Sequence, residues 1–166
     1  MYQILRAEQL ADKIFLMEVE APRVARACEP GEFVIVKMDE IGERIPLTIC
    51  DYDREKGTIT IVFQIVGAST ERMSAMKAGD AFQDFVGPLG RPSEFVKEDV
   101  NELKNKKFLF VAGGVGAAPV YPQVKYFPVG FRYQFCIAFE IPNCLILHDL
   151  IQYCRGCILH GILHYF

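Results

Sequence analysis

Polar and apolar positions alternate through Thr58-Ile59-Thr60-Ile61 and then merge into the continuous apolar run Ile61-Val62-Phe63. Alternation with a period of two marks a strand with one buried face, and its loss marks passage into the core. Similar short runs recur at Tyr2–Arg6, Lys13–Glu20, Glu32–Met38, Ile45–Asp51 and Ala81–Val86. Pro30-Gly31, the Asp39–Glu43 segment with Gly42, and Arg54–Gly57 supply turn residues between them. Many short strands with frequent turns predict a small antiparallel barrel. One helix interrupts it: Ser69 or Thr70 serves as N-cap, Met73 and Met76 share a face, and Gly79 ends it.

A different pattern begins after Lys104. Phe108-Leu109-Phe110-Val111-Ala112 is wholly apolar, as in a parallel strand buried on both faces. It runs into Gly113-Gly114-Val115-Gly116-Ala117-Ala118-Pro119 and then a predicted helix, the opening of a nucleotide-binding β-α unit. The fold class is therefore β-barrel plus α/β: residues 1–102 form the barrel and 103–125 start the α/β part. Residues 126–166 form a tail of another character.

Composition sharpens that last boundary. The chain has 166 residues, half of them hydrophobic, and a net charge of −3. These values fit a globular domain and offer no basic footprint for nucleic acid. No run of about 18 uncharged apolar residues predicts a membrane span. No basic-then-apolar leader opens the sequence and six cysteines read as free thiols, so the expected location is cytoplasmic. Yet residues 128–166 carry only Arg132, Glu140, Asp149 and Arg155 of the 18 basic and 21 acidic residues. They hold all three histidines and four of the six cysteines, and no steady period of 2 or 3.6. Tyr126-Phe127-Pro128 also breaks the α/β helix within three turns of its start. The segment from about Val124 thus reads as an out-of-frame ending to a truncated reading frame, with a divergent short domain as the alternative. The encoding DNA read in the other frames decides between them.

Three constellations carry candidate chemistry. Arg44-Ile45-Pro46-Leu47-Thr48 places a guanidinium at a strand start, where it can fork onto a diphosphate, or simply face solvent. Gly67-Ala68-Ser69-Thr70 turns a strand into a helix N-terminus, which either receives a phosphate or is only a cap. Gly114-x-Gly116 matches two glycines of a dinucleotide fingerprint, with Pro119 where the third would stand.

Together with Gly87-Pro88-Leu89-Gly90, these motifs stand in an order and spacing that resembles the ferredoxin–NADP reductase superfamily over about residues 1–125. Within it the chain is similar to electron-transfer subunits of dihydroorotate dehydrogenase and to small subunits of NADH-dependent ferredoxin:NADP oxidoreductases. The resemblance implies FAD in the barrel and NAD(P)H on the α/β part, with a role in electron transport and pyrimidine biosynthesis. It implies that Arg44, Pro46, Leu47 and Thr48 line the flavin, and that Gly67, Ser69 and Thr70 hold its phosphates. Gly113, Gly114, Gly116 and Pro119 would face the nicotinamide nucleotide. It also implies a partner: a dihydroorotate dehydrogenase-like catalytic subunit or a ferredoxin:NADP reductase large subunit. Relatives carry a [2Fe-2S] centre on a compact cysteine motif. Here only Cys154-Arg155-Gly156-Cys157, with Cys144 and Cys136 scattered before it, stands in that place, so no metal site is predicted. No residue is singled out as catalytic. The function expected is flavin-dependent electron transfer between NAD(P)H and a protein partner, impaired in this chain, with a non-catalytic flavin-binding module as the alternative.

Overall fold

A computed structural model describes residues 1–127 and the backbone of 133–138. The hairpin β1 (Tyr2–Ala11) and β2 (Ile14–Glu20) turns at Lys13, whose φ of 57° is the one positive value at a non-glycine residue described. After α1 (Pro22–Ala27) come β3 (Phe33–Lys37), β4 (Ile45–Asp53) and β5 (Thr58–Gln64). Then follow α2 (Ala68–Ser74), β6 (Ala81–Phe82) and β7 (Asp84–Leu89). The strands form one antiparallel sheet in the order β6-β1-β2-β5-β4-β3-β7. Its two edge strands are consecutive in the chain. Only Gln83 separates them, and its backbone N–H donates to the Lys37 carbonyl at 2.9 Å, so the segment bridges both edges and nearly closes the barrel.

The alternating positions point inward as the sequence implies. Ile4, Met17, Val19, Ile59, Ile61 and Phe82 are wholly buried in one core, each such side chain stabilising the fold by about 1.5–3 kcal/mol relative to exposure. Two short helices add to it: α1 buries Val24 and Ala25, and α2 buries Met73. The N-cap of α2 is Gly67, two residues before Ser69 and three before Thr70, the expected caps, and the helix stops at Ser74. Gly79 serves a later turn, with φ of 100°.

Past the barrel, α3 (Val100–Lys104) is capped by Asp99, whose carboxylate accepts from the Asn101 N–H at 2.8 Å. Then come β8 (Phe108–Gly113), a 3-10 turn over Gly114–Gly116, and α4 (Ala117–Tyr126). Strand β9 (Tyr133–Ala138) pairs with β8 in parallel. The segment set apart as a tail therefore contributes a strand to a β-α-β unit, and residues 128–132 and 139–166 lie outside the described residues. Helix α4 lies against β4 and β8, joining Leu16, Cys50 and Val62 of the barrel to Ala112, Ala117 and Val124 in a second core. The Lys125 ammonium reaches the Asp51 carboxylate at 2.8 Å across that seam. One expectation is corrected: β8 is not buried on both faces, since Leu109 is 62% and Val111 64% exposed. Helix α4 covers one side of the strand, and these two side chains alternate onto the other. Among the described residues no helix is long and apolar enough to cross a membrane.

Candidate functional site

The antiparallel order puts β5 beside β4, so the end of β5 and the start of β4 meet at one end of the barrel. There an open cleft of about 480 Å³ lies between Glu43, Arg44, Ile45 and Pro46 on one side and Val66, Gly67, Ala68, Ser69 and Thr70 on the other. Two of the three sequence constellations thus contribute to a single cavity, although the nearest lining residues, Pro46 and Val66, are twenty positions apart in the chain.

Each residue has a distinct place. The Arg44 guanidinium is 60% exposed and pairs with the Asp84 carboxylate at 3.3 Å. Pro46 is exposed opposite Ile35 of β3. Leu47 packs against the barrel core, and Thr48 is half-buried opposite Phe33; neither lines the cleft. Gly67 is extended, with φ of −177°, a conformation open to any residue. Its missing side chain instead leaves room: a Cβ built there meets nothing within 4 Å. Thr70 is buried, and its hydroxyl is fully engaged in the loop. It accepts from the Val66 N–H at 2.9 Å and the Gly67 N–H at 3.2 Å, and donates to the Gly67 carbonyl at 2.9 Å. The Ser69 hydroxyl donates to the Glu43 carboxylate. Glu43 is the lining residue that the motifs did not single out; an isolated acidic residue in a loop carries no sequence signal.

The third constellation lies elsewhere. Gly113, Gly114, Gly116 and Pro119 follow β8, and the Gly114–Gly116 turn touches β5 rather than lining the cleft. Gly114 has φ of 53°, where glycine is favoured, and added Cβ atoms at Gly114 and Gly116 meet nothing within 4 Å. Pro119 occupies the first turn of α4, where its missing N–H costs nothing.

Groups with large pKa displacements are not in the cleft. Burial pushes the Cys28 thiol up to about 12, and burial likewise pushes the Tyr52 phenol up to about 12. Both lie by Arg54, which donates to the Cys28 carbonyl at 2.9 Å and stands 5.2 Å over the Tyr52 ring. The cleft itself offers the Arg44 cation beside the Glu43 carboxylate, first-turn helix amides and open space above a glycine. That set suits binding a phosphate-bearing ligand rather than acid–base chemistry. Among the described residues no group of three or more His, Cys, Asp or Glu could hold a metal ion. Cys144, Cys154, Cys157 and the three histidines lie outside those residues.

No family model matches the chain. An uncharacterised protein of Clostridium beijerinckii is 64% identical over 126 residues, covering 76% of this chain and 43% of that protein. A dihydroorotate dehydrogenase B (NAD(+)) electron transfer subunit homolog of Thermotoga maritima is 39% identical over 123 residues, covering 74% of this chain and 41% of its own length. The chain spans less than half the length of these curated relatives. Among solved structures, an NADH-dependent reduced ferredoxin-NADP oxidoreductase superposes with a TM-score of 0.82 at 29% identity, over 100% of this chain and 62% of that one. Phthalate dioxygenase reductase shares the fold at a TM-score of 0.69 and 18% identity, over 97% of this chain and 51% of its own. A nearly closed antiparallel barrel and these relatives agree: the chain has the ferredoxin–NADP reductase-like fold, and dihydroorotate dehydrogenase B electron-transfer subunits are among its homologues.

Proposed function

We propose that the chain binds FAD in the cleft between Arg44–Pro46 and Val66–Thr70, as the flavin-carrying part of an NAD(P)H-dependent electron-transfer subunit. The observation that carries this is the convergence of Arg44 and Pro46 with the unobstructed Gly67 on one cavity. Arg44 neutralises diphosphate charge, and the first-turn amides of α2 donate to phosphate oxygens. Gly67 admits the phosphates close to the backbone. Pro46 stiffens the strand edge beside the flavin, and Leu47 and Thr48, from their half-buried positions, support that edge from behind. Thr70 acts by holding the loop rather than by touching ligand. FAD when bound takes an electron pair from NAD(P)H and gives up electrons singly.

The Gly113–Pro119 turn is the proposed nicotinamide nucleotide contact. The partner is a catalytic or electron-accepting subunit, because the Thermotoga maritima relative is named an electron transfer subunit homolog. A reducing, cytoplasmic setting suits the free thiol of Cys28. The test is the visible absorbance spectrum of the chain refolded with FAD and freed of unbound flavin. Retained flavin bands at one FAD per chain support the reading, and colourless protein refutes it. A second reading, a flavin-binding module without turnover, is favoured by the lining of the cleft, which does not include the Gly113–Pro119 turn.

A further inference from the structure

The cleft proposed for an anionic ligand carries a carboxylate on its rim. Glu43 stands directly before Arg44 and lines the cavity together with Ser69, whose hydroxyl donates to it. The loop that bears Glu43 is held to α2 a second time. Arg72 of the helix donates to the Asp39 carboxylate at 2.6 Å, and Asp39 in turn accepts from the Ile41 N–H at 3.2 Å. Glu43 is therefore presented to Ser69 by a segment anchored at both ends. The neighbouring hydroxyl, Thr70, is occupied by the backbone of Val66 and Gly67. Ser69 is the first-turn hydroxyl that can exchange its acceptor.

A serine hydroxyl has one proton to donate, so it cannot serve a carboxylate and a phosphate together. A carboxylate and a phosphate sharing the cleft also repel each other. Arg44 offsets part of that repulsion, but it already pairs with Asp84. We infer that Glu43 is an affinity-setting residue: it holds Ser69 in the ligand-free cleft and opposes the phosphates of the incoming ligand, so that binding requires Ser69 to leave Glu43. This rests on the reading of the cleft as an FAD site. Its consequence runs against the usual effect of deleting a site residue, because neutralising Glu43 tightens binding.

The experiment titrates the flavin-free chain with FAD, followed by flavin fluorescence, for the parent, Glu43→Gln, Ser69→Ala and the double variant. Glu43→Gln keeps the side chain's shape and removes its charge. Its FAD affinity should rise about two- to fivefold at low salt, the scale of one exposed charge contact. That gain should shrink as sodium chloride rises and screens the charges. Ser69→Ala should weaken binding, and the gain from Glu43→Gln should be smaller in its background, since the two residues act on one proton. A Glu43 that merely pins the loop would produce no such salt dependence. Equal or weaker FAD binding by a folded Glu43→Gln chain, checked by its unfolding temperature, overturns the inference while leaving the FAD reading intact. Failure of the parent and all variants to bind FAD overturns both.

Discussion

Arg44 stands 60% exposed at the cleft with Asp84 as its partner at 3.3 Å. An exposed pair of that kind adds at most about 1 kcal/mol to stability, so Arg44→Ala should barely move thermal unfolding. FAD affinity should nonetheless fall by about 1.5–3 kcal/mol, the range for a hydrogen bond to a charged group. A titration giving equal affinities for variant and parent removes Arg44 from the site. Gly67 separates the same two properties by another route. Its extended backbone tolerates any residue, and a Cβ there meets open space. Gly67→Val should therefore unfold close to the parent temperature yet lose flavin, because the branched side chain fills the space beside the α2 amides. Parallel loss of fold and flavin would make the glycine structural. Gly87 shows the contrast: a Cβ there would lie 2.7 Å from Val34 Cγ1, so its bareness serves barrel packing.

At the scale of elements, the alternating strands were legible because period two is a local property with a burial cause. Strand β5 runs Thr58–Gln64 against an expected start at Thr58, and β4 starts at Ile45 as expected. Helix α1 was not legible. Pro22–Ala27 has six residues, no acidic first turn and no side-chain cap, so Pro22 at its first position is a weak start signal and burial of Val24 and Ala25 is needed to hold it helical. The split of the expected Ala81–Val86 strand at Gln83 was equally hidden, because it answers to two partner strands at opposite edges of the sheet. In the site, Arg44 and Gly67 were legible through their chemistry and turn context, whereas their meeting depends on the long-range pairing of β4 with β5. The end of α4 repeats the lesson. Tyr126-Phe127 reads as the start of a foreign segment, yet Phe127 is 3% exposed and its ring lies 4.5 Å from Phe108 and 4.9 Å from Phe95. Phe127→Ala should cost about 3–5 kcal/mol, and the loss should appear as early unfolding of α4 and β8 in hydrogen exchange. Uniform protection in parent and variant would show that the ring cluster does not hold the unit together.

For the whole molecule, the decisive quantity is how firmly a nicotinamide can be held over the flavin. A dinucleotide site of this class lies at the carboxyl ends of several adjacent parallel strands, whose helices and loops form its walls. Among the described residues that sheet consists of β8 and β9, with the Gly113–Gly116 turn after β8 and α4 behind it. Leu109 and Val111 project from the uncovered side of β8, where a complete doubly wound sheet carries a second layer. Hydride transfer needs the reacting atoms within about 3–3.5 Å, and a misplacement of about 1 Å can cost around a hundredfold in rate. With that face of β8 uncovered, the nucleotide is held from one side, so it binds loosely and samples that geometry rarely. We therefore predict that this 166-residue chain, loaded with FAD, does not oxidise NADH or NADPH at a useful rate, although its flavin cleft is intact. The measurement is anaerobic: mix the loaded chain with each nucleotide and follow bleaching of the flavin absorbance. Dithionite should bleach the flavin fully, showing that it is reducible, while either nucleotide should bleach it only slowly and without saturation. Rapid, saturable bleaching by NADH or NADPH would show that residues beyond Phe127 complete a working nucleotide site, and that the segment 126–166 is a functional part of the domain.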